Sequence, residues 1–190
     1  MIKNLLNAVL ILGFVSAQGE IAYKIDTEKS QLLWRAEQLT GNHWGYISIK
    51  SGNVIFNSNG QLKTGDIIID MNTITIEDDT WKEKLKQHLE SDDFFSVKNF
   101  PISSFNIKKI TPKVSELEIE GLLTIKGFSH PNIFIAEVET NNNGYKATGK
   151  VVIDRTLYGI KYRSGKYFPD IGNRLIYDNF TIEFNLTTKR

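Results

Sequence analysis

From Ile25 to the C-terminus the chain alternates apolar and polar residues with a period of two. Phe180, Ile182, Phe184 and Leu186 alternate with Thr181, Glu183, Asn185 and Thr187. Leu117, Ile119, Gly121, Leu123 and Ile125 alternate with Glu118, Glu120, Thr124 and Lys126, and Ala147, Gly149, Val151 and Ile153 with Thr148, Lys150 and Asp154. Successive side chains of a strand point to opposite faces, so the pattern predicts strands with one dry and one wet face. Such strands pair antiparallel, because buried parallel strands read as unbroken apolar runs. Ser51-Gly52, Asn59-Gly60 and Asn143-Gly144 mark turns between the runs. The runs lie near 31–37, 43–50, 53–57, 61–76, 101–110, 115–127, 131–140, 145–155 and 174–188. With one or two merged or split by bends, they amount to about eight strands at the roughly 8–12-residue spacing of a sandwich or barrel.

One segment breaks the period. Thr80-Trp81-Lys82-Glu83 reads as a capping box, a hydroxyl N-cap with Glu three residues on. Trp81, Leu85, His88 and Leu89 follow at helical spacing and predict a short amphipathic helix near 81–89. Its apolar stripe must lie on the sheet or across an open end. No Pro/Ser-rich linker or internal repeat divides the chain, and 190 residues suit one domain.

The first residues read as an address. Lys3 gives a positive start, Leu5 to Val15 an almost unbroken apolar run, and Val15-Ser16-Ala17 small residues where a peptidase cuts. That order is a secretory signal peptide over 1–17, with the mature domain over 18–190. The run is about half the roughly 20 residues that a spanning helix needs, so the mature chain is expected not to span a membrane. Cysteine is absent, which excludes disulfides, thiolate metal sites, cysteine nucleophiles and lipid attachment through Cys. An exported chain without cysteine suits a bacterial envelope, periplasmic or secreted. Lys and Arg number 23 against 22 Asp and Glu, a balance unlike the basic excess of a nucleic-acid binder.

Catalytic signatures are missing. The chain has no HExxH, GxSxG, phosphate-cradling Gly-rich loop or dinucleotide fingerprint. His43, His88 and His130 are not at metal-ligand spacing, and no cofactor or metal is expected. Asp78-Asp79 and Asp92-Asp93 bracket the helix and read as capping and turn chemistry. What stands out is the apolar set facing inward: Trp34, Ile47, Ile49, Phe105, Ile107, Leu123, Ile125, Phe134, Ala136, Ile153, Phe180, Ile182 and Phe184. A closed eight-stranded barrel either fills its interior with such side chains or holds one small ligand. Small residues on the same faces, Ala36, Gly45, Gly121, Ala136, Ala147 and Gly149, leave room for a lumen or serve tight bends.

Several stretches, taken in order, resemble one family. Trp34 followed by Thr40-Gly41-Asn42-His43-Trp44-Gly45 is similar to its first hairpin, and Ile69-Asp70-Met71-Asn72-Thr73-Ile74 to its central strand. His88-Leu89-Glu90-Ser91-Asp92-Asp93-Phe94-Phe95, then Phe100-Pro101 and Phe105, resembles its most recognisable stretch, a helix end running into a strand. Gly121-Leu122-Leu123-Thr124-Ile125-Lys126-Gly127 with Pro131, and Ile153-Asp154-Arg155-Thr156 with Tyr158-Gly159-Ile160, resemble its later motifs. The family is the YceI-like family of polyisoprenoid-binding proteins. The resemblance implies an all-β fold, an eight-stranded lipocalin-like antiparallel barrel with a helix near one end. It implies non-enzymatic binding of a long apolar lipid, a polyisoprenoid or the tail of an isoprenoid quinone, in the lumen, as an envelope carrier or store. Arg155, Tyr158, Tyr162 and Arg163 are the residues expected to meet a headgroup, since Arg suits a phosphate and Tyr offers an amphipathic edge. Trp44 is bulky where smaller residues are common in the family, and Lys161 to Asn179 is a longer connection. The competing expectation is a barrel filled by its own side chains, a structural or interaction module without a lumen ligand.

Overall fold

The computed structural model describes residues 19–78, 81–142 and 144–190. The expected signal segment 1–17 lies outside the described residues, as do Asp79, the expected N-cap Thr80 and Asn143. Nine strands and one α-helix are described. They are β1 (Glu20–Ile25), β2 (Gln31–Gln38), β3 (Gly41–Asn57), β4 (Leu62–Asp70), α1 (Lys82–Glu90), β5 (Ile102–Pro112), β6 (Leu117–Ile125), β7 (Phe128–Asn141), β8 (Gly144–Asp154) and β9 (Ile176–Lys189). Every strand pairing is antiparallel. Strands β2 to β9 run in the order β3-β2-β9-β8-β7-β6-β5-β4, and β4 pairs back onto β3, so the sheet closes into a barrel. β1 lies in line with β2: it pairs the second half of β3 (Tyr23↔Val54) and the end of β9 (Ile25↔Thr188). Nine segments therefore fill eight positions, and the expected eight-stranded antiparallel barrel is the fold.

Three local expectations need correction. Ser51-Gly52 does not end a strand, because β3 runs through it as one 17-residue strand with a register shift between Ile49 and Ser51. The expected strand 61–76 stops at Asp70, whose carboxylate accepts from the backbone N–H of Asn72 and starts a single 3₁₀ turn over Met71–Thr73. The chain then runs on beside β3, with Thr75 N–H donating to the Tyr46 carbonyl (2.9 Å) and Glu77 N–H to that of Trp44 (2.8 Å). Trp81 does not join the helical stripe: it holds φ 62° at the N-cap, is 72% exposed, and lies beneath Lys84. The stripe is instead Leu85, His88 and Leu89, of which Leu89 is buried.

The two ends of the barrel differ. At one, the strands join through short turns (58–61, 113–116 and the β7–β8 hairpin). At the other, long connections (71–101, carrying α1, and 155–175) fold over the opening. The stretch after β8 is pinned by Asp154, whose carboxylate accepts from Thr156 N–H (2.8 Å) and Oγ1 (2.6 Å). Asp78 pins the stretch after β4, accepting from Trp44 N–H (3.1 Å) and pairing with His43 Nδ1 (3.1 Å). None of the described helices is long and apolar enough to cross a membrane.

The inward glycines do not widen the interior. A side chain at Gly121 would strike the ring of Phe105 and, at 2.5 Å, the Asn106 carbonyl. One at Gly149 would strike the ring of Phe184 (2.5 Å) and the Ile135 carbonyl (2.6 Å). Each glycine is thus a seat on which a neighbouring aromatic ring packs, an arrangement known to rescue the lost packing of strand glycines. We expect Gly121→Ala and Gly149→Ala each to cost about 1–3 kcal/mol, since a rigid backbone carbonyl must give way. Urea midpoints at unchanged slope check this, and wild-type midpoints would remove the seat from the account.

Candidate functional site

The alternation that builds the strands turns apolar side chains from every side of the barrel toward its axis, and they do not meet. They surround a cavity of about 200 Å³. That exceeds the roughly 150 Å³ of an engineered apolar cavity that stays dry and takes up benzene. The lining runs the length of the barrel, from Val54, Leu62 and Leu186 near the short turns to Met71, Ile74, Leu89, Phe94 and Phe95 at the helix end. Phe134, Phe180, Ile182 and Phe184 point inward and line the cavity, yet they are only half-buried. The space they face is open, not filled by neighbouring side chains.

Of the residues singled out in the sequence, Trp34, Ile47, Phe105, Ile107, Leu123, Ile125, Phe134, Ile153, Arg155, Phe180, Ile182 and Phe184 lie on this cavity. Ile49 is buried in the core cluster without lining it. Tyr158 and Tyr162 also lie off the cavity. Tyr158 is 1% exposed, packed edge-on against His130 at 5.4 Å, and its hydroxyl is pushed up to about 12 by burial and the nearby Asp154 charge. A group so buried does not reach a headgroup at the surface.

Arg155 lines the cavity, but its guanidinium is directed to the protein. Nε donates to the Tyr177 carbonyl (3.1 Å), Nη1 to that of Ile160 (3.0 Å), and Nη2 to that of Ile176 (2.9 Å). Nη2 also pairs with Asp178 at 3.4 Å. Burial lowers the Arg155 pKa, with Asp178 and Asp154 acting in the opposite sense. The fork thus ties the start of β9 to the connection that follows β8. The other buried polar side chains on the lining have partners too: Ser103 Oγ lies 3.1 Å from Met71 Sδ, and Trp34 Nε1 donates to the Thr75 carbonyl (3.0 Å), while Tyr177 is exposed. The interior therefore offers hydrocarbon contact and little else.

Aromatic and aliphatic side chains gather at both ends. Near the short turns Phe56 stacks on Tyr145 (3.6 Å between centroids) and Tyr23 meets both edge-on. At the helix end Leu89, Phe94, Phe95 and Ile160 close over the lining, and Phe95 meets Phe180 edge-on at 6.2 Å. His88 anchors this cap from outside the cavity. Its ring lies edge-on to Phe94 (4.8 Å) and Tyr162 (4.5 Å), and its buried Nε2 has no hydrogen-bond partner among the described residues. Burial lowers the His88 pKa against the opposing effect of Asp93. The capping set was missed as cavity lining in the sequence. The helical spacing of Leu89 was its one signal, because Phe94, Phe95 and Ile160 belong to no period.

A closed antiparallel barrel around an elongated apolar cavity, with a helix over one end, is a lipocalin-like barrel. The YceI-like domain family matches residues 23–188, and the chain belongs to it. Protein YceI of Salmonella arizonae is 27% identical over 164 residues, covering 80% of this chain and 84% of that one. BcnA of Burkholderia cenocepacia superposes with a TM-score of 0.69 at 21% identity, covering 85% of this chain and 98% of that one. A polyisoprenoid binding domain from Saccharophagus degradans superposes with a TM-score of 0.64 at 12% identity, covering 88% and 97%. At such identities the two solved structures speak for the fold alone.

The Arg155 geometry separates a structural fork from a mere positive charge. Arg155→Lys keeps the charge but cannot reach three carbonyls, so we expect a loss of about 2–4 kcal/mol, the cost of leaving buried acceptors unpaired. Chemical denaturation checks it, and a fully stable lysine variant would show that charge alone is required there.

Proposed function

We propose that the protein binds one long apolar lipid, an isoprenoid chain such as a polyprenyl or quinone tail, inside the barrel, and serves without catalysis as its carrier or store. The observation that carries this reading is the cavity itself, elongated and walled almost wholly by aliphatic and aromatic side chains, with the buried polar side chains of its described lining held by protein partners. Such a wall has one attraction to offer, the removal of apolar surface from water, at roughly 0.8 kcal/mol per CH₂. A ten-carbon stretch then gains about 8 kcal/mol before the cost of ordering, so a longer buried stretch is needed for micromolar affinity. A branched, flexible isoprenoid suits a bore lined at intervals by rings. Supporting the choice of lipid is the likeness to a fold neighbour described as a polyisoprenoid binding domain. The signal-like N-terminal sequence supports, on this reading, export to the bacterial envelope.

No step of chemistry is assigned. A hydrolase or transferase acting on the lipid needs a nucleophile and a base converging on it. The buried polar side chains on the described lining are held by protein partners instead.

Val151 lines the cavity at a half-buried position opposite Ile182 in the ladder. Val151→Trp fills the bore at that level. We expect it to weaken binding of geranylgeraniol at least tenfold by calorimetric titration while the thermal transition stays cooperative. Undiminished binding in a folded Val151→Trp protein would move the lipid out of the lumen.

A further inference from the structure

The β8–β9 connection has a composition unlike the rest of the chain. Between Gly159 and Leu175 it holds Lys161, Arg163, Lys166 and Arg174 against a single acid, Asp170, in a chain whose charges otherwise balance. None of these four cations forms an ion pair among the described residues. Three of them lie over rings instead: Lys161 and Lys166 face Tyr167 at 4.8 and 5.9 Å, and Arg163 faces Tyr162 at 5.1 Å. Tyr167 is 39% exposed and the adjacent Phe168 50% exposed. The same pairing recurs at the start of α1, where Lys84 lies 5.6 Å from the ring of exposed Trp81.

These pieces share one end of the barrel. His88 of α1 touches Tyr162, and Leu39, at the β2–β3 turn, donates its N–H to the Leu175 carbonyl (3.1 Å). Beneath them lies the cap of Phe94, Phe95 and Ile160 over the cavity. α1 and its exit carry Glu83, Glu90, Asp92 and Asp93 beside Lys82, Lys84 and Lys86, so the unbalanced positive charge lies on the β8–β9 side, where Asp170 is the one acid between Gly159 and Leu175. Exposed amphipathic rings with basic groups folded over them are what a bilayer interface selects. The rings settle at headgroup level, and the cations reach for phosphates. An acidic protein would answer the charge but would not explain an exposed Phe168 beside it.

We propose that this connection docks the helix end of the barrel on an anionic lipid bilayer, with Tyr167 and Phe168 entering the headgroup layer and Lys161, Arg163, Lys166 and Arg174 against lipid phosphates. The inference rests on the lipid-binding reading for its purpose, since it sets the capped end of the cavity on a lipid source. Its test is separable from that reading because Tyr167, Phe168, Lys161 and Lys166 do not line the cavity.

The experiment is vesicle flotation of the full chain as recovered from expressing cells, its N-terminus identified by intact mass. Vesicles of phosphatidylcholine alone are compared with vesicles that also contain phosphatidylglycerol. Each basic residue near an anionic surface is worth about fivefold in partition, so Lys161→Gln with Lys166→Gln is expected to weaken binding about 25-fold, and Phe168→Ser to weaken it further. All variants share one N-terminus, so the difference reports the loop. Binding is expected to fall steeply with salt, because the attraction acts within a Debye length of about 10 Å at 0.1 M. Uptake of geranylgeraniol by the variants is expected to match wild type. Equal flotation of variant and wild type, or equal binding to neutral vesicles, overturns the proposal. A concentration-dependent dimer that the same substitutions abolish, seen by sedimentation without vesicle binding, overturns it as well and gives the face to a second copy.

Discussion

The structure depends on one strand pairing two ways. β3 pairs β2 through its first half (Gly45↔Trp34) and β4 through its second (Val54↔Gly65), and that double duty closes the sheet. Closure removes every long free edge, so backbone donors and acceptors find partners around the ring. It also fixes the distance across the barrel. Eight strand positions leave an interior just wide enough for side chains or for one slender ligand. Here the inward side chains stop short of the axis, and rings that would fill the middle lie back on glycine seats at Gly121 and Gly149. The cavity follows from closure together with inward side chains that stop short of the axis.

An interior of this kind recognises a class of molecule and discriminates poorly within it. Each methylene changes affinity by about fourfold, so neither chain length nor saturation is read sharply by the wall. Selection then falls to the two ends. The short-turn end is an aromatic plug of Tyr23, Phe56 and Tyr145, with Arg190 over Tyr23 at 5.7 Å. The helix end is a cap assembled from segments far apart in sequence and joined by side chains: Arg155 ties the connection after β8 to β9, and His88 ties α1 to that connection through Tyr162. Such a cap has fewer ladder bonds than the wall, and regions of that sort open at lower free energy than a strand core.

The wall was legible in the sequence because alternation is local and its period is fixed. Phe180, Ile182 and Phe184 declared their face from three turns of a pleat, and Phe105, Leu123 and Phe134 did the same. Two kinds of feature escaped. The first was anything decided by distant partners. β1 shows only Tyr23 and Ile25 as buried alternating residues, too short a signal, and it exists because β3 and the end of β9 both offer it an edge. Ser51-Gly52 reads as a turn, yet β3 continues through it because β4 pairs along that whole stretch. The second was the direction of individual polar groups. Arg155 and Tyr158 looked like surface contacts for a headgroup, since a motif gives residue types and no burial. Their hydrogen-bonding and packing partners, Ile160, Ile176, Tyr177 and His130, are set by how the long connections fold.

The central claim is that the cavity is a lipid's place and not a packing gap. Mass spectrometry of an organic extract addresses it most directly, on protein purified without detergent from the cells that make it. An isoprenoid is expected at a substantial fraction of one molecule per chain. An extract free of lipid, and still free after the protein is incubated with isoprenoid alcohols and quinones, would contradict the claim and leave a barrel that holds its shape around empty space.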